Sequence, residues 1–319
     1  MKVVLKELGD LAANAELQDT AELIAGPDDV VVAIEAATVN PVDQMLASGN
    51  YNYPVRTPYD LGTEGVGRVV AGASKLIGRR VLILPNYEQG TWADKVVVKA
   101  ANVVPIPEGG DVEQMAMLST NPLTAYLALT RFTGLQPGDW VGLNLGNSAV
   151  AQYATALAQR AGARVLSVVR RPDAADGLAA DVVLVDGDDL ADRIKAELGD
   201  DRFALILDGA GDASVGALAQ AAAFGAPVVV YSSVTGAAPA VGLGDLVFTE
   251  LRVHGVWIPN WLRTASAAEI EQTYGDLARL TIDGVLRARV EATYALADVA
   301  QAIEHAARPG RGGKVLLRP

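Results

Sequence analysis

Residues 121–173, NPLTAYLALTRFTGLQPGDWVGLNLGNSAVAQYATALAQRAGARVLSVVRRPD, decide how this chain is read. Within them, residues 139–144 (DWVGLN) form a short apolar run with Pro137 and Gly138 before it and Gly146 after it, the pattern of a buried parallel strand. Residues 148–161 repeat apolar positions at helical spacing and stop at Gly162, a helix C-terminal cap. Residues 164–169 (RVLSVV) make a second strand. A phosphate placed in the turn of such a strand–turn–helix–strand unit meets N–H groups at a helix N-terminus that have no acceptor within the helix. Gly146 keeps one glycine of the usual fingerprint, whereas Ala149 and Ala151 stand where further glycines are common. The turn alone is therefore also compatible with a plain crossover that holds no ligand. The second strand runs into Arg170 and Arg171. Sites for NAD usually carry an acidic residue there for the ribose 2′-hydroxyl, while a 2′-phosphate calls for cations, so NADPH is expected over NADH. Two solvated arginines at the start of a loop are the competing reading.

Composition narrows the classes outside this stretch. A chain of 319 residues exceeds what one core comfortably holds, which predicts two domains. Half of the residues are hydrophobic and 20% are charged, a globular rather than a disordered composition. The formal net charge of −12 argues against nucleic acid or an anionic membrane as partner, since both call for a basic face. With no cysteine, disulfides, thiolate catalysis and thiolate-ligated zinc are excluded. His254 lies in an apolar, strand-like run and His305 in a helical pattern, in no ligand-like spacing, so structural roles are expected and no metal site. The first residues, MKVVLKELGD, hold no signal-type apolar core, and the longest apolar stretch, residues 215–231, is interrupted by Gly225 and Pro227. The expectation is a cytoplasmic, membrane-free protein.

Before about residue 115 the pattern is of short strands and turns, at 30–36, 67–70, 80–84 and 92–98. From there to about residue 261, strands at 141–144, 164–169, 181–185, 204–207, 227–231 and 252–257 alternate with helical patterns. Six strands in alternation predict an α/β, doubly wound parallel Rossmann sheet. Helices at 267–282 and 296–307 and a last strand at 314–317 are expected to rejoin the first domain. The predicted division is a mostly β catalytic domain of residues 1–115 and 263–319 around a dinucleotide-binding domain of residues 116–262.

Several short motifs follow one another in register: Asn40-Pro41 with Asp43, SGNY at 48–51, GTEGVG at 62–67, GTWADKVVV at 90–98, NPLTAY at 121–126, LQPGDWV at 135–141, NSAV at 147–150, SVVRRPD at 167–173 and HGVWIPNW at 254–261. In order and spacing, over essentially the whole chain, they resemble the medium-chain dehydrogenase/reductase superfamily, and within it the zinc-free 2-enoyl thioester reductases of the trans-2-enoyl-CoA reductase type. The resemblance implies a GroES-like first domain and an NADPH-dependent enoyl thioester reductase, acting on a small acyl thioester carried by coenzyme A or acyl carrier protein, that assembles as a homodimer.

It also implies roles for single residues. The position matching the family's catalytic tyrosine is Tyr51, with Tyr53 a close rival. A phenol is a donor and a weak acid with pKa of about 10, so it can hold an enolate oxygen or supply a proton. Asn121 and Thr124 would border the nicotinamide. Asn147, Ser148, Ala149 and Val150 would line the pyrophosphate, and Arg170 and Arg171 would hold the 2′-phosphate. Tyr231, Ser232, Ser233 and Val234, with Val256, Trp257, Ile258 and Pro259, would close over the nicotinamide, and Lys314 would add a cofactor contact. Tyr53, Trp92 and Trp261 are candidates to wall the acyl pocket, against the plainer reading of tryptophans as core residues. Glu64 reads as a buried structural carboxylate. Two other functions stay open: a zinc-free quinone or enone oxidoreductase, and a nucleotide-binding protein without turnover.

Overall fold

The computed structural model describes residues 1–72 and 75–319. The chain forms two compact units, residues 1–120 with 258–319, and residues 121–257.

In the second unit six strands lie side by side in the order Val182–Val185, Arg164–Val169, Trp140–Leu143, Phe203–Asp208, Pro227–Val230, Arg252–Gly255. Every neighbouring pair is parallel. The first strand in sequence is central and the order reverses beside it, so the crevice at the carboxyl ends of Trp140–Leu143 and Phe203–Asp208 is where a doubly wound sheet takes its ligand. Trp140, Leu166, Phe203, Ile206 and Val228 pack into one core with the crossover helices. Helix Leu190–Leu198 shows how: its buried residues Leu190, Ile194 and Leu198 recur at four-residue spacing, and each such side chain stabilises the packed state by about 1.5–3 kcal/mol. Between Arg164–Val169 and Val182–Val185 the expected alternation fails. Only a 3₁₀ turn, Pro172–Ala175, links the two strands, because the connection is too short for a full crossover helix. The last strand ends at Gly255, short of the expected 257. Val256 N–H still bonds the carbonyl of Val230 at 3.0 Å, and Ile258–Thr264 turns helical with Pro259 in its first turn.

In the first unit a seven-stranded sheet runs Val290–Ala295, Lys314–Arg318, Asp29–Val39, Gly65–Gly72, Arg80–Ile83, Val103–Pro105, with Lys95–Lys99 also pairing Asp29–Val39. A three-stranded sheet of Ala15–Gln18, Lys2–Leu5 and Tyr59–Asp60 completes it. Val3, Leu5, Val30, Val32, Leu61, Val81, Ile83 and Trp92 share its core. Helix Pro41–Ala47 begins at Asn40, whose N–H is taken by the Asp43 carboxylate at 2.7 Å. No helix among the described residues is long and apolar enough to cross a membrane.

Candidate active site

The dinucleotide turn is built by packing. Gly146 N–H bonds the Val168 carbonyl at 3.0 Å, and a Cβ there would sit 1.9 Å from Ser167 Oγ and 3.2 Å from the Val168 carbonyl oxygen, so a larger residue would force Ser167 to shift under the turn. Leu145 before it takes a positive φ of 52°. Ser148 then caps helix Ala149–Arg160, its Oγ accepting from Ala151 N–H at 3.2 Å. Ala151 is 1% exposed; its methyl is used up inside the unit and takes no room from a ligand. The first-turn N–H groups of Ala149 and Val150 have no intrahelical acceptor. Asn147 is exposed, and its carbonyl accepts from Gln152 Nε2 at 3.0 Å.

Beyond the second strand the two arginines differ. Arg171 is engaged with Asp173, Nε and one terminal nitrogen each 3.1 Å from a carboxylate oxygen. That pairing holds the Asp173 carboxyl below its usual range. Arg170 is exposed.

At the carboxyl ends of the central strands lies a polar cluster that sequence reasoning missed. Asn144 donates through Nδ2 to Asp208 Oδ1 at 2.7 Å and Ser214 Oγ at 3.0 Å, and its Oδ1 accepts from Gly209 N–H at 2.8 Å and Ala210 N–H at 3.1 Å. Asp208 Oδ1 also accepts from Gly211 N–H at 3.0 Å. These bonds fix the turn after the fourth strand. The available signal was a single polar residue closing each of two apolar runs. Onto this turn folds the segment after Pro227–Val230. Tyr231 lies so close over Gly209 that a Cβ there would come within 2.3 Å of the phenol oxygen. The Tyr231 hydroxyl is buried beside Ser148 without closing a hydrogen bond of good geometry, and burial pushes it up to about 12. Ser232 is half-buried and Val234 exposed; Ser233 donates to the Ala237 carbonyl at 2.7 Å. Asn121 and Thr124 open helix Asn121–Thr130, and Val256 and Trp257 are half-buried after the last strand. Ile258 and Pro259, expected with them, begin a helix of the other unit.

In the first unit Tyr51 stands in a cluster of tyrosines. Its hydroxyl is 2.9 Å from that of Tyr87 and the rings meet edge to face, with centroids 5.4 Å apart. Tyr53 meets the same Tyr87 ring at 5.3 Å, and Tyr59 donates to the Tyr87 carbonyl at 2.9 Å. Burial raises the ionisation of Tyr87, Tyr59 and, less strongly, Tyr53. Tyr51 and Tyr53 line a groove of about 380 Å³ with Leu8, Gly49, Pro54 and Val55. The two tryptophans expected at an acyl pocket are both buried. Trp92 is 1% exposed within the core, its indole N–H on the Thr38 carbonyl at 2.9 Å, so it has no surface to offer a ligand. Trp261 is 3% exposed, packed edge to face on Tyr274 with its N–H on Glu269.

Lys314, expected at the cofactor, is buried, and its ammonium is bonded to Asn40 Oδ1 in a buried network. Glu64 Oε1 accepts there from Thr38 Oγ1 at 2.9 Å and Asn40 Nδ2 at 2.7 Å, and Oε2 from Ser119 at 3.3 Å. Desolvation pushes the Glu64 carboxyl up and the Lys314 ammonium down. Asp43, next to them, is pushed up to about 7 by burial. A buried carboxylate and ammonium sharing one amide offset each other's desolvation. His305 is likewise structural, between Tyr294 and Glu291 at 2.9 Å each, and His254 stacks on Phe132. Among the described residues no group of three or more His, Asp or Glu could hold a metal ion.

A parallel six-stranded nucleotide fold carried in one chain with a GroES-like β unit defines an oxidoreductase of the alcohol dehydrogenase type, and two family models match accordingly: the alcohol dehydrogenase GroES-like domain over residues 26–108 and the zinc-binding dehydrogenase family over residues 149–274. The mitochondrial enoyl-[acyl-carrier-protein] reductase of Rattus norvegicus is 30% identical over 312 residues, 94% of this chain and 84% of that protein. A solved structure from Bacillus thuringiensis, assigned as an NADPH:quinone reductase, is 25% identical, covers 100% of this chain and 98% of its own, and has a TM-score of 0.90. A mutant enoyl thioester reductase from Candida tropicalis shares the fold, with a TM-score of 0.85 over 100% of this chain and 99% of its own at 21% identity. The chain belongs to the medium-chain dehydrogenase/reductase superfamily, in its enoyl reductase branch. It is an oxidoreductase of the NAD(P)H-using kind.

Proposed function

We propose that the chain reduces trans-2-enoyl thioesters, carried on coenzyme A or acyl carrier protein, to saturated acyl thioesters with NADPH. The observation that carries this reading is the Tyr51 phenol, half-buried on the wall of an open groove and hydrogen-bonded to a second phenol. The relatives named as enoyl-[acyl-carrier-protein] reductases support it.

The residues of the second unit fit a phosphorylated dinucleotide. Ala149 and Val150 offer helix N-terminal donors. Arg170 offers an exposed guanidinium for the 2′-phosphate, and the Tyr231 hydroxyl is a buried polar atom still open to a partner. Bound there, NADPH supplies the hydride that the β-carbon receives. The protein's part is positioning and charge stabilisation. As negative charge moves to the thioester oxygen, Tyr51 O–H stabilises the enolate or delivers its proton to the α-carbon. That is the work of an acid held in place.

A quinone or enone reductase is the second reading, favoured by the high TM-score to the Bacillus thuringiensis structure; it shares the nucleotide site and does not need Tyr51 as acid. Following NADPH oxidation with crotonyl-CoA, with a quinone and with no acceptor separates both readings from a binding protein without turnover. Fast oxidation with crotonyl-CoA alone supports thioester reduction; oxidation with quinone alone, or with neither, overturns it.

The assembly proposed is a homodimer. Edge strand Arg252–Gly255 carries Val253 at 44% exposure, and helix Leu243–Phe248 exposes Leu243 and Phe248 at 77% and 82%. An apolar edge of this kind calls for a partner strand.

A further inference from the structure

We propose that Tyr87 is a positioning residue for the acid Tyr51, holding the Tyr51 oxygen by a donated hydrogen bond so that the Tyr51 proton is directed at the substrate. The inference rests on the thioester reductase reading and deepens it.

Tyr87 is 6% exposed, and its hydroxyl has one hydrogen-bond partner among the described residues, the Tyr51 oxygen at 2.9 Å. Either hydroxyl could donate across this distance; Tyr87 is the more buried of the two residues, and a buried O–H without an acceptor is costly, so Tyr87 is taken as the donor. Tyr51, half-buried beside the groove, then accepts from Tyr87 and does not donate its own proton to it. Burial raises the ionisation of the Tyr87 phenol far above its ordinary value. Tyr87 therefore stays a donor and is not itself a proton source.

The surroundings fix Tyr87 in this role. Its backbone is held at a φ of 65°, a left-handed conformation uncommon for a bulky side chain. Tyr59 O–H grips its carbonyl at 2.9 Å. Its ring is wedged by the rings of Tyr51 and Tyr53 at 5.4 and 5.3 Å. Strain held by several independent contacts marks a position that the surrounding structure over-determines.

In the reaction the carbon–carbon π bond opens as the hydride bonds to the β-carbon. The Tyr51 O–H bond breaks as its proton goes to the α-carbon, and the negative charge left on Tyr51 oxygen faces the Tyr87 O–H. A water proton then restores Tyr51. A hydrogen bond onto charge that exists only late in the step lowers the barrier without changing ground-state binding.

The test is Tyr87→Phe, which keeps the ring contacts and the backbone carbonyl used by Tyr59. With crotonyl-CoA and NADPH we expect kcat to fall about 10- to 100-fold, the range for a hydrogen bond to a charged group, with KM and NADPH affinity unchanged. The solvent deuterium isotope effect on kcat should rise. In a Tyr51→Phe background the same change should lower kcat no further, because the oxygen it serves is gone. A normal kcat, or an equal loss in both backgrounds, overturns the proposal while wild-type crotonyl-CoA reduction still stands. A wild type that does not reduce crotonyl-CoA overturns the functional reading and this inference together.

Discussion

The two arginines after the second strand are chemically alike in sequence and unlike in the structure, and that difference predicts unequal effects. Arg171 is already paired with Asp173 through two contacts of 3.1 Å, whereas Arg170 is exposed. A charge-assisted hydrogen bond to a phosphate contributes about 1.5–3 kcal/mol, which is about 10- to 150-fold in affinity. Arg170→Ala should therefore weaken NADPH binding by about that factor and leave NADH, which lacks the 2′-phosphate, within about twofold. Arg171 must share its guanidinium with Asp173 to reach a phosphate, so Arg171→Ala should cost less, about 3- to 10-fold. Asp173→Ala should tighten NADPH a fewfold, because it releases Arg171 and removes a nearby negative charge. The assay is a fluorescence titration with each nucleotide at low and high salt; the NADPH advantage should shrink as salt screens it. Equal losses of NADPH and NADH in Arg170→Ala, or none, would refute the 2′-phosphate site.

Three further outcomes are expected. Asp43, pushed up from 3.8 to about 7 in the folded chain, binds its proton more tightly when folded, so its contribution to stability is present below about pH 4 and is lost as pH rises through 7, by at most about 4 kcal/mol. Asp43→Asn, which can still accept from Asn40 N–H, should flatten that decline, as read from urea midpoints between pH 4 and 8; an unchanged slope contradicts it. Activity should survive exhaustive chelation, and its loss with recovery on adding zinc would reveal carboxylate ligands so far unrecognised. Sedimentation equilibrium at micromolar concentration should give a dimer for the wild type and a monomer for Val247→Glu with Phe248→Glu, whose side chains are 56% and 82% exposed; a monomeric wild type removes the edge-pairing proposal.

What was legible in the sequence follows the range of the interactions involved. Strand Arg164–Val169 and helix Ala267–Ile282 form at the residues expected, because their signals are local: an apolar run closed by arginines, and a helical stripe behind the cap Ser266. Strand Val290–Ala295 went unread although half-buried and exposed residues alternate along it, because its pairing to Lys314–Arg318 depends on a strand far along the chain. Helix Pro41–Ala47 was quoted only as part of a motif and given no secondary structure, yet Asn40, Pro41 and Asp43 spell its capping box. The site divides the same way. The turn around Gly146 and the paired arginines are sequence-local. The partnership of Lys314 with Asn40 spans 274 positions, that of Asn144 with Asp208 spans 64, and neither leaves a trace in spacing. Trp92 could be assigned to core or pocket only by the Thr38 carbonyl that takes its N–H. Tyr87 carried no signal at all, since a positive φ at a tyrosine and a phenol meeting Tyr51 across 36 positions are properties of the folded chain.

If the Tyr51 hydroxyl is the acid or enolate stabiliser of an enoyl thioester reduction, the rate of crotonyl-CoA-dependent NADPH oxidation must depend on that oxygen. Tyr51→Phe beside Tyr53→Phe isolates it, since both variants keep the ring and lose only the oxygen. Tyr51→Phe should lower kcat by about 10²- to 10⁴-fold with NADPH affinity little changed, and Tyr53→Phe should do much less. Near-normal turnover in Tyr51→Phe would contradict that role.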